Sequence, residues 1–346
     1  MYIFHGAVNL ENIQNKTEDM EKIQTLDMAI NGLGNLTEYR LLVLLGNNHS
    51  LALVDGKDLR PDEIIDSDGR LLYPAYFMTH IKVPMTSFLE DYCLWEKVKS
   101  VVEVKRFSAN LLDSHYSIQR CNDDGEVQGE PIIMDSNSMF IVDATLDKSV
   151  HRTSSTPQAD KIAELDKMKK IPEALKTFRT IRTTGFALKK GRSIGEYSFQ
   201  YKIVENRDVS INHSVIFAKF TEIMDMCEWE YLFEGKNIGL PVELSKYIHI
   251  LDRETYFYSN CFSGDVIECN IKVNLEECED KHLSGKKREN TCFYLHETFE
   301  LYNEKTRNIL VIAKCKKVIC VPVSDMYLID DFKRIIENKY NHEIEE

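Results

Sequence analysis

Three side chains able to move protons or hold a developing negative charge stand close together in the chain: Asp208, Asn212 and His213. Behind them Ile216, Phe217, Phe220, Ile223, Met224, Cys227 and Tyr231 recur at three and four residues, with Leu232 alongside. That spacing predicts a long, well-buried helix that starts just after His213. The free N–H groups and dipole of a helix start favour negative charge on a nearby oxygen. There a carboxylate can orient water or act as base, an amide can hydrogen-bond a carbonyl oxygen, and an imidazole can donate to that oxygen or shuttle a proton. A plainer reading of the same residues also stands: Asp208 or Asn212 caps the helix, and His213 is a surface histidine. Lys219, Glu222, Asp225, Glu228 and Glu230 read as the solvated face of this helix.

Tyr73 and Tyr76 form a second set. A phenol is a weak nucleophile near neutral pH, because its ordinary pKa is ~10. It can donate a hydrogen bond or, when activated, carry an acyl group; packing is the alternative for both. Asn48 and His49 lie in the polar knot Gly46-Asn-Asn-His-Ser50, which interrupts an apolar helical pattern from Tyr39 to Val54. Glycine and asparagine cost helix stability there, so the knot predicts either a kink facing a ligand or the join of two helices. Thr37 or Asn35 is placed to cap the helix. There is no Walker loop, GxGxxG, HExxH or GxSxG in the chain.

The elements that must position these groups follow one order twice. After the first helix, strand patterns run from Arg70 to Val83 with a bulge near Pro74, from Leu94 to Phe107, from Ala109 to Arg120, and from Pro131 to Ala144. Around the second helix they run over 197–204, 248–258, 265–273, 291–302 and 308–321. One long central helix wrapped by a curved antiparallel sheet is the hotdog arrangement. The chain is expected to be an α+β double hotdog with two curved sheets. Its expected parts are an N-terminal unit (1–146), a connection (147–195) with a charged helix over 158–176, and a C-terminal unit (196–346) ending in a helix over 326–340. In a hotdog the site lies between paired units, with a thioester carbonyl pointing at the start of a central helix.

The 346 residues are 43% hydrophobic and 29% charged, with a formal net charge of −13. Such a balance opposes non-specific binding to nucleic acid and docking on anionic lipid. The nine cysteines form no CxxC pair, which argues against a zinc ribbon or a disulfide framework. They fit a reducing, cytoplasmic compartment. Met1 to Val8 lacks a basic leader, and no apolar run reaches the ~20 residues that span a membrane.

Four stretches together resemble the bifunctional acyltransferase/decarboxylase family of polyketide biosynthesis, of the leinamycin-pathway type. Gly32 to Ser50 looks like the family's glycine-led first helix. Asp68-Gly-Arg-Leu-Leu-Tyr-Pro-Ala-Tyr-Phe77 is similar to its Leu-Tyr-x-x-Phe strand. Arg207 to Asp225 resembles its Arg-Asp-x-Asn-Gly segment, and Arg253 to Asp265 its Tyr-x-Gly-Asn-x-x-x-x-Asp segment. The resemblance implies that an alkylmalonyl-CoA is decarboxylated and its acyl group passed to an acyl carrier protein. It places the catalytic tyrosine at Tyr73 and an aromatic substrate contact at Tyr76, and it gives the turn from Asp208 to His213 the enolate oxygen. Ser210-Ile211 stands where the family has Asn-Gly, and Ser50 where it has tryptophan. The Asp-x-Ser-x-Asn-His pattern drifts toward that of hotdog thioesterases.

The leading expectation is therefore a transferase, with decarboxylation left open. Tyr73, Asn212, His213 and Asp208 would be catalytic, and Tyr76, His49 and Asn48 would bind substrate. The alternatives are a thioesterase on the same scaffold and a non-catalytic module that binds acyl-CoA or an acyl carrier protein. No cofactor is expected beyond CoA and phosphopantetheine thioesters as substrates. Neither nucleic acid nor membrane is an expected partner. Two hotdogs in one chain can complete a site without a second chain, so a homodimer is allowed and not required.

Overall fold

The structure, a computed structural model, describes residues 20–28, 30, 34–142, 155–210, 214–234, 237–277 and 291–343. The first half runs β1 (Met20–Thr25), α1 (Glu38–Ala52), β2 (Leu72–Lys82), β3 (Lys97–Arg106), β4 (Leu111–Cys121) and β5 (Val127–Val142). A connection with α2 (Glu173–Thr184) follows. The second half runs β6 (Arg192–Lys202), a single turn α3 (Glu205–Asp208), α4 (Phe217–Phe233), β7 (Ile248–Phe257), β8 (Val266–Glu277), β9 (Thr291–Asn303) and β10 (Ile309–Cys320). α5 (Tyr327–Glu343) closes the described chain.

All ten strands form one antiparallel sheet in the order β1-β3-β4-β5-β2-β7-β10-β9-β8-β6. The order reads the same from either edge once each strand is matched to its counterpart five positions on. The sequence expectation of two sheets is corrected here. β2 and β7 pair from Met78 opposite Tyr256 to Lys82 opposite Asp252, which fuses the halves through their backbones. α1 and α4 pack against each other on one face. On the other, α2 covers a small core of Ala174, Tyr256, Tyr258 and Ile312, with Phe178 against it.

Local patterns explain the elements. In β3, Val98, Ser100, Val102 and Val104 are buried and alternate with more exposed partners, the period of a strand with one face in the core. The Thr37 side chain accepts a hydrogen bond from the Arg40 N–H at 3.3 Å and caps α1. α1 then continues as one helix through Gly46-Asn-Asn-His-Ser50, so no join of two helices occurs there. Its polar side chains meet the sheet, and those contacts override local propensity. The β2 bulge falls between Tyr76 and Met78 rather than near Pro74. Pro74 lies beyond the stretch that pairs with β7, where its missing N–H costs nothing.

Other expectations shift. In the connection the helix is α2, which meets the expected span of 158–176 only over 173–176; before it, residues 158–172 hold a short 3₁₀ turn over Ala159–Lys161. β1 had no signal strong enough to be read. Met1 to Val8 lie outside the described residues. Nor is the charged series of α4 simply solvated: Glu228 is buried against Lys317, and Asp225 pairs with Arg253. No helix among the described residues is long and apolar enough to cross a membrane.

Candidate functional site

The chain enters α4 through a tight backbone arrangement. The Ser210 N–H donates to the Ser214 carbonyl at 2.9 Å, and Val209 bridges Val215. The Val215 N–H donates to the Cys261 carbonyl at 3.2 Å, and the Ile216 N–H to the Asp208 carbonyl at 3.1 Å. Ile216 is the N-cap residue and offers no side-chain cap. The Lys219 N–H closes the first turn on the Ile216 carbonyl at 2.8 Å.

Asp208 does not cap α4; it is buried behind the entrance. Its carboxylate accepts from the Val204 N–H at 2.9 Å, from the Tyr201 hydroxyl at 3.1 Å and from Arg207 Nε at 2.9 Å. Lys219 Nζ, on the first turn of α4, is 3.0 Å away. Burial alone would raise the carboxyl's pKa, but the donors from Arg207, Val204 and Lys219 outweigh it and hold the group down to about 2. The buried Cys261 thiol is pushed up by burial, then by Asp265 and Asp208.

Across the boundary between the halves, the Tyr76 ring lies against Phe217, the first residue of α4, with centroids 4.3 Å apart. Gly46 of α1 completes the contact: a Cβ there would stand 3.3 Å from the Phe217 ring and 3.9 Å from the Tyr76 hydroxyl. That hydroxyl is buried without a well-formed hydrogen bond, and the Tyr116 hydroxyl lies within reach of it. The pKa of Tyr76 is raised by burial first and by Tyr116 next. His49 is fully buried, its ring 5.5 Å from that of Tyr76. Nδ1 lies 3.2 Å from the Ser114 hydroxyl and Nε2 3.5 Å from that of Ser138. Burial lowers its pKa to about 3, so the imidazole is neutral. The Asn48 amide donates to the Ser100 hydroxyl at 3.0 Å, while its carbonyl oxygen is buried without a partner.

The structure thus brings Tyr76 and His49 together beside the start of α4, with Asn48 next along α1 and Asp208 behind the entrance. Tyr73 is elsewhere. It pairs with Ile141 while Tyr76 pairs with Ser138, an odd step along regular ladder, which puts the two phenols on opposite faces of the sheet. Asn212 and His213 lie outside the described residues. Sequence reasoning missed Tyr201 and Cys261, noticed Gly46 only as the start of the polar knot, and read Lys219 as part of a solvated face.

No protein-family model and no curated protein matches the sequence. Solved structures do resemble the fold. A protein assigned as an oleoyl thioesterase of Lactobacillus plantarum superposes with a TM-score of 0.57 at 11% identity, over 87% of this chain and 96% of that one. A 12:0-ACP thioesterase of Umbellularia californica gives 0.48 at 13%, over 86% and 93%. An acyl-ACP thioesterase of Bacteroides thetaiotaomicron gives 0.45 at 14%, over 86% and 97%. The first superposition is close enough to set the fold; the other two carry no weight. The chain has the hotdog fold.

Proposed function

We propose that the chain hydrolyses acyl thioesters at the start of α4 and that its mirrored halves are two hotdog units in one chain. One observation carries the reading: the buried Tyr76 hydroxyl, without a well-formed hydrogen bond, lies beside a helix whose N-cap residue, Ile216, offers no side-chain cap. Unused donors in a water-poor place suit a carbonyl oxygen that gains charge as its carbon is attacked. Water adds to the thioester carbon, the tetrahedral oxyanion collapses, and the C–S bond breaks to give a carboxylic acid and a thiol. His213 would take the proton from water and return it to the leaving sulfur, and Asn212 would hold the thioester oxygen. Asp208, saturated with donors, fixes the loop that carries them. CoA and carrier-bound thioesters are both candidate substrates.

The transferase reading gave acyl handling to Tyr73, which faces away from this place. Malonyl-, methylmalonyl- and straight-chain acyl-CoA, and the same groups on a phosphopantetheinylated carrier protein, distinguish the readings by the masses of their products. Free acid with free thiol, retained by Tyr73→Phe and lost by His213→Ala, is the expected result. Acyl groups moved onto the carrier would restore the transferase. Binding without turnover would leave a carrier- or CoA-binding module.

A further inference from the structure

The start of α1 matches the start of α4 in position and opposes it in chemistry. Glu38 and Phe217 each open their helix, Gly46 and Asp225 are each the ninth residue, and His49 and Glu228 each the twelfth. The sheet corresponds too. Ser114 pairs with Ser136 as Glu297 pairs with Cys315. β2 is bulged beside the pair Tyr76 and Ser138, and β7 beside the pair Ile250 and Lys317; Thr79 pairs with Ser136 as Arg253 does with Cys315. Gly46, His49, Thr79, Ser114 and Ser138 therefore have as counterparts Asp225, Glu228, Arg253, Glu297 and Lys317. One set is uncharged; the other is wholly ionisable. The scaffold itself does not require charge at these places.

In the charged set Arg253 Nη2 donates to Asp225 at 2.7 Å, and its Nε lies 3.1 Å from Glu38. Lys317 donates to Glu228 and stands 3.7 Å from Asp225. Glu297 is wholly buried, and neither of its oxygens receives a hydrogen bond, while Glu228 lies within hydrogen-bonding reach. Four carboxylates against two cations leave an excess of two negative charges when all are ionised. A buried, unpaired carboxylate costs several kcal/mol, and such a group takes up a proton instead. A protonated Glu297 can donate to Glu228. The thiols of Cys315 on β10 and Cys269 on β8 also face the cluster, and burial pushes both up.

We propose that this cluster is a proton-held latch that ties the start of α1 to the second half of the sheet, closed while Glu38 and Glu297 carry protons and strained once both are ionised. Glu38 is the one member from the first half, so repulsion inside the cluster acts on α1. Burial is the first cause that raises both carboxyls, Glu38 to about 7 and Glu297 to about 8, against the pull of Arg253 and Lys317. From the ordinary value of 4.5 up to these values the folded chain holds protons that the unfolded chain has released. Stability therefore falls as pH rises through that window. The latch does not depend on the identity of the substrate.

Hydrogen exchange on the full chain, corrected for intrinsic rate, tests this at about pH 6 and about pH 9. The first turns of α1 should lose protection roughly tenfold or more at the higher pH, the equivalent of one pKa unit or more, while the first turns of α4 should not. Glu297→Gln keeps the shape of the neutral acid and should remove the difference. Unchanged loosening in that variant would overturn the latch. So would a wild-type profile with no loosening, or one spread evenly along the chain. The wild-type profile decides alone if the variant fails to fold.

Discussion

The Tyr76 and Phe217 rings touch across the boundary between the two halves, 4.3 Å from centroid to centroid, and the Tyr76 hydroxyl beside them lacks a well-formed hydrogen bond. A buried hydroxyl with nothing to bond destabilises a fold, whereas the same group facing a carbonyl oxygen is useful. Tyr76→Phe should therefore raise stability by up to about 1 kcal/mol and lower kcat/KM for thioester hydrolysis at least about tenfold. Opposite signs in a denaturant titration and a thiol-release assay are the expected signature. A variant that loses both, or neither, would remove Tyr76 from the site.

Gly46 lets that contact form. Mid-helix glycine ordinarily costs about 1 kcal/mol against alanine, yet a Cβ here would press on Phe217 at 3.3 Å. Gly46→Leu must displace Phe217 or the helix, at a cost of about 1–3 kcal/mol, and should close the start of α4 to substrate. The melting temperature and the turnover of one acyl thioester should fall together.

Asp208 makes a pH prediction with a definite sign. Its folded pKa is depressed, so its contribution is present above the ordinary carboxylate value of ~3.9 and is lost as pH falls toward the folded value of about 2. The Arg207 side chain is 56% exposed, and solvent screens its share. We expect Asp208→Asn to cost about 1 kcal/mol near neutral pH, with the gap to wild type narrowing below about pH 4. Urea unfolding of both proteins across that range checks it. A gap that does not change with pH would mean that the loss is steric.

His49 acts in the other direction from the latch. Its folded pKa is lowered to about 3 by burial, so the unfolded chain takes up a proton first as the solution is acidified. Stability is then lost as pH falls below the free histidine value of ~6.5, by about 1 kcal/mol per unit. His49→Gln can still reach Ser114 and has no proton to gain. Between about pH 6.5 and about pH 4 its stability should vary less steeply than wild type, by about that amount per unit. Equal slopes would show that another group is responsible.

Much of this was legible in the chain. The apolar spacing from Ile216 to Leu232 marked the buried run of α4, because a buried helix cannot vary its period, although the helix begins at Phe217 and not just after His213. Of the strands after it, three were placed to within a residue, and β8 runs four residues further than expected, to Glu277. Thr37 was readable as a cap from its residue type. The knot at Gly46 to Ser50 was not read as helix interior because propensity is local, and what keeps α1 helical there is its contact with Phe217 and the sheet. The charged residues of α4 were misread for the same reason: the cations that take Asp225 and Glu228 inside, Arg253 and Lys317, come from strands far along the chain.

The sequence by itself determined the repeated order of helix and strands, the acidic balance, and the placing of Asp208, Asn212 and His213 ahead of the second helix. These depend on neighbours in the chain. Only the tertiary structure decided that the halves share one sheet, that Tyr76 and not Tyr73 stands beside the start of α4, and that one helix start is open while the other is filled with charge. A one-residue step in register turns a side chain to the other face of a sheet. A partner two hundred residues away decides whether a buried carboxyl keeps its charge.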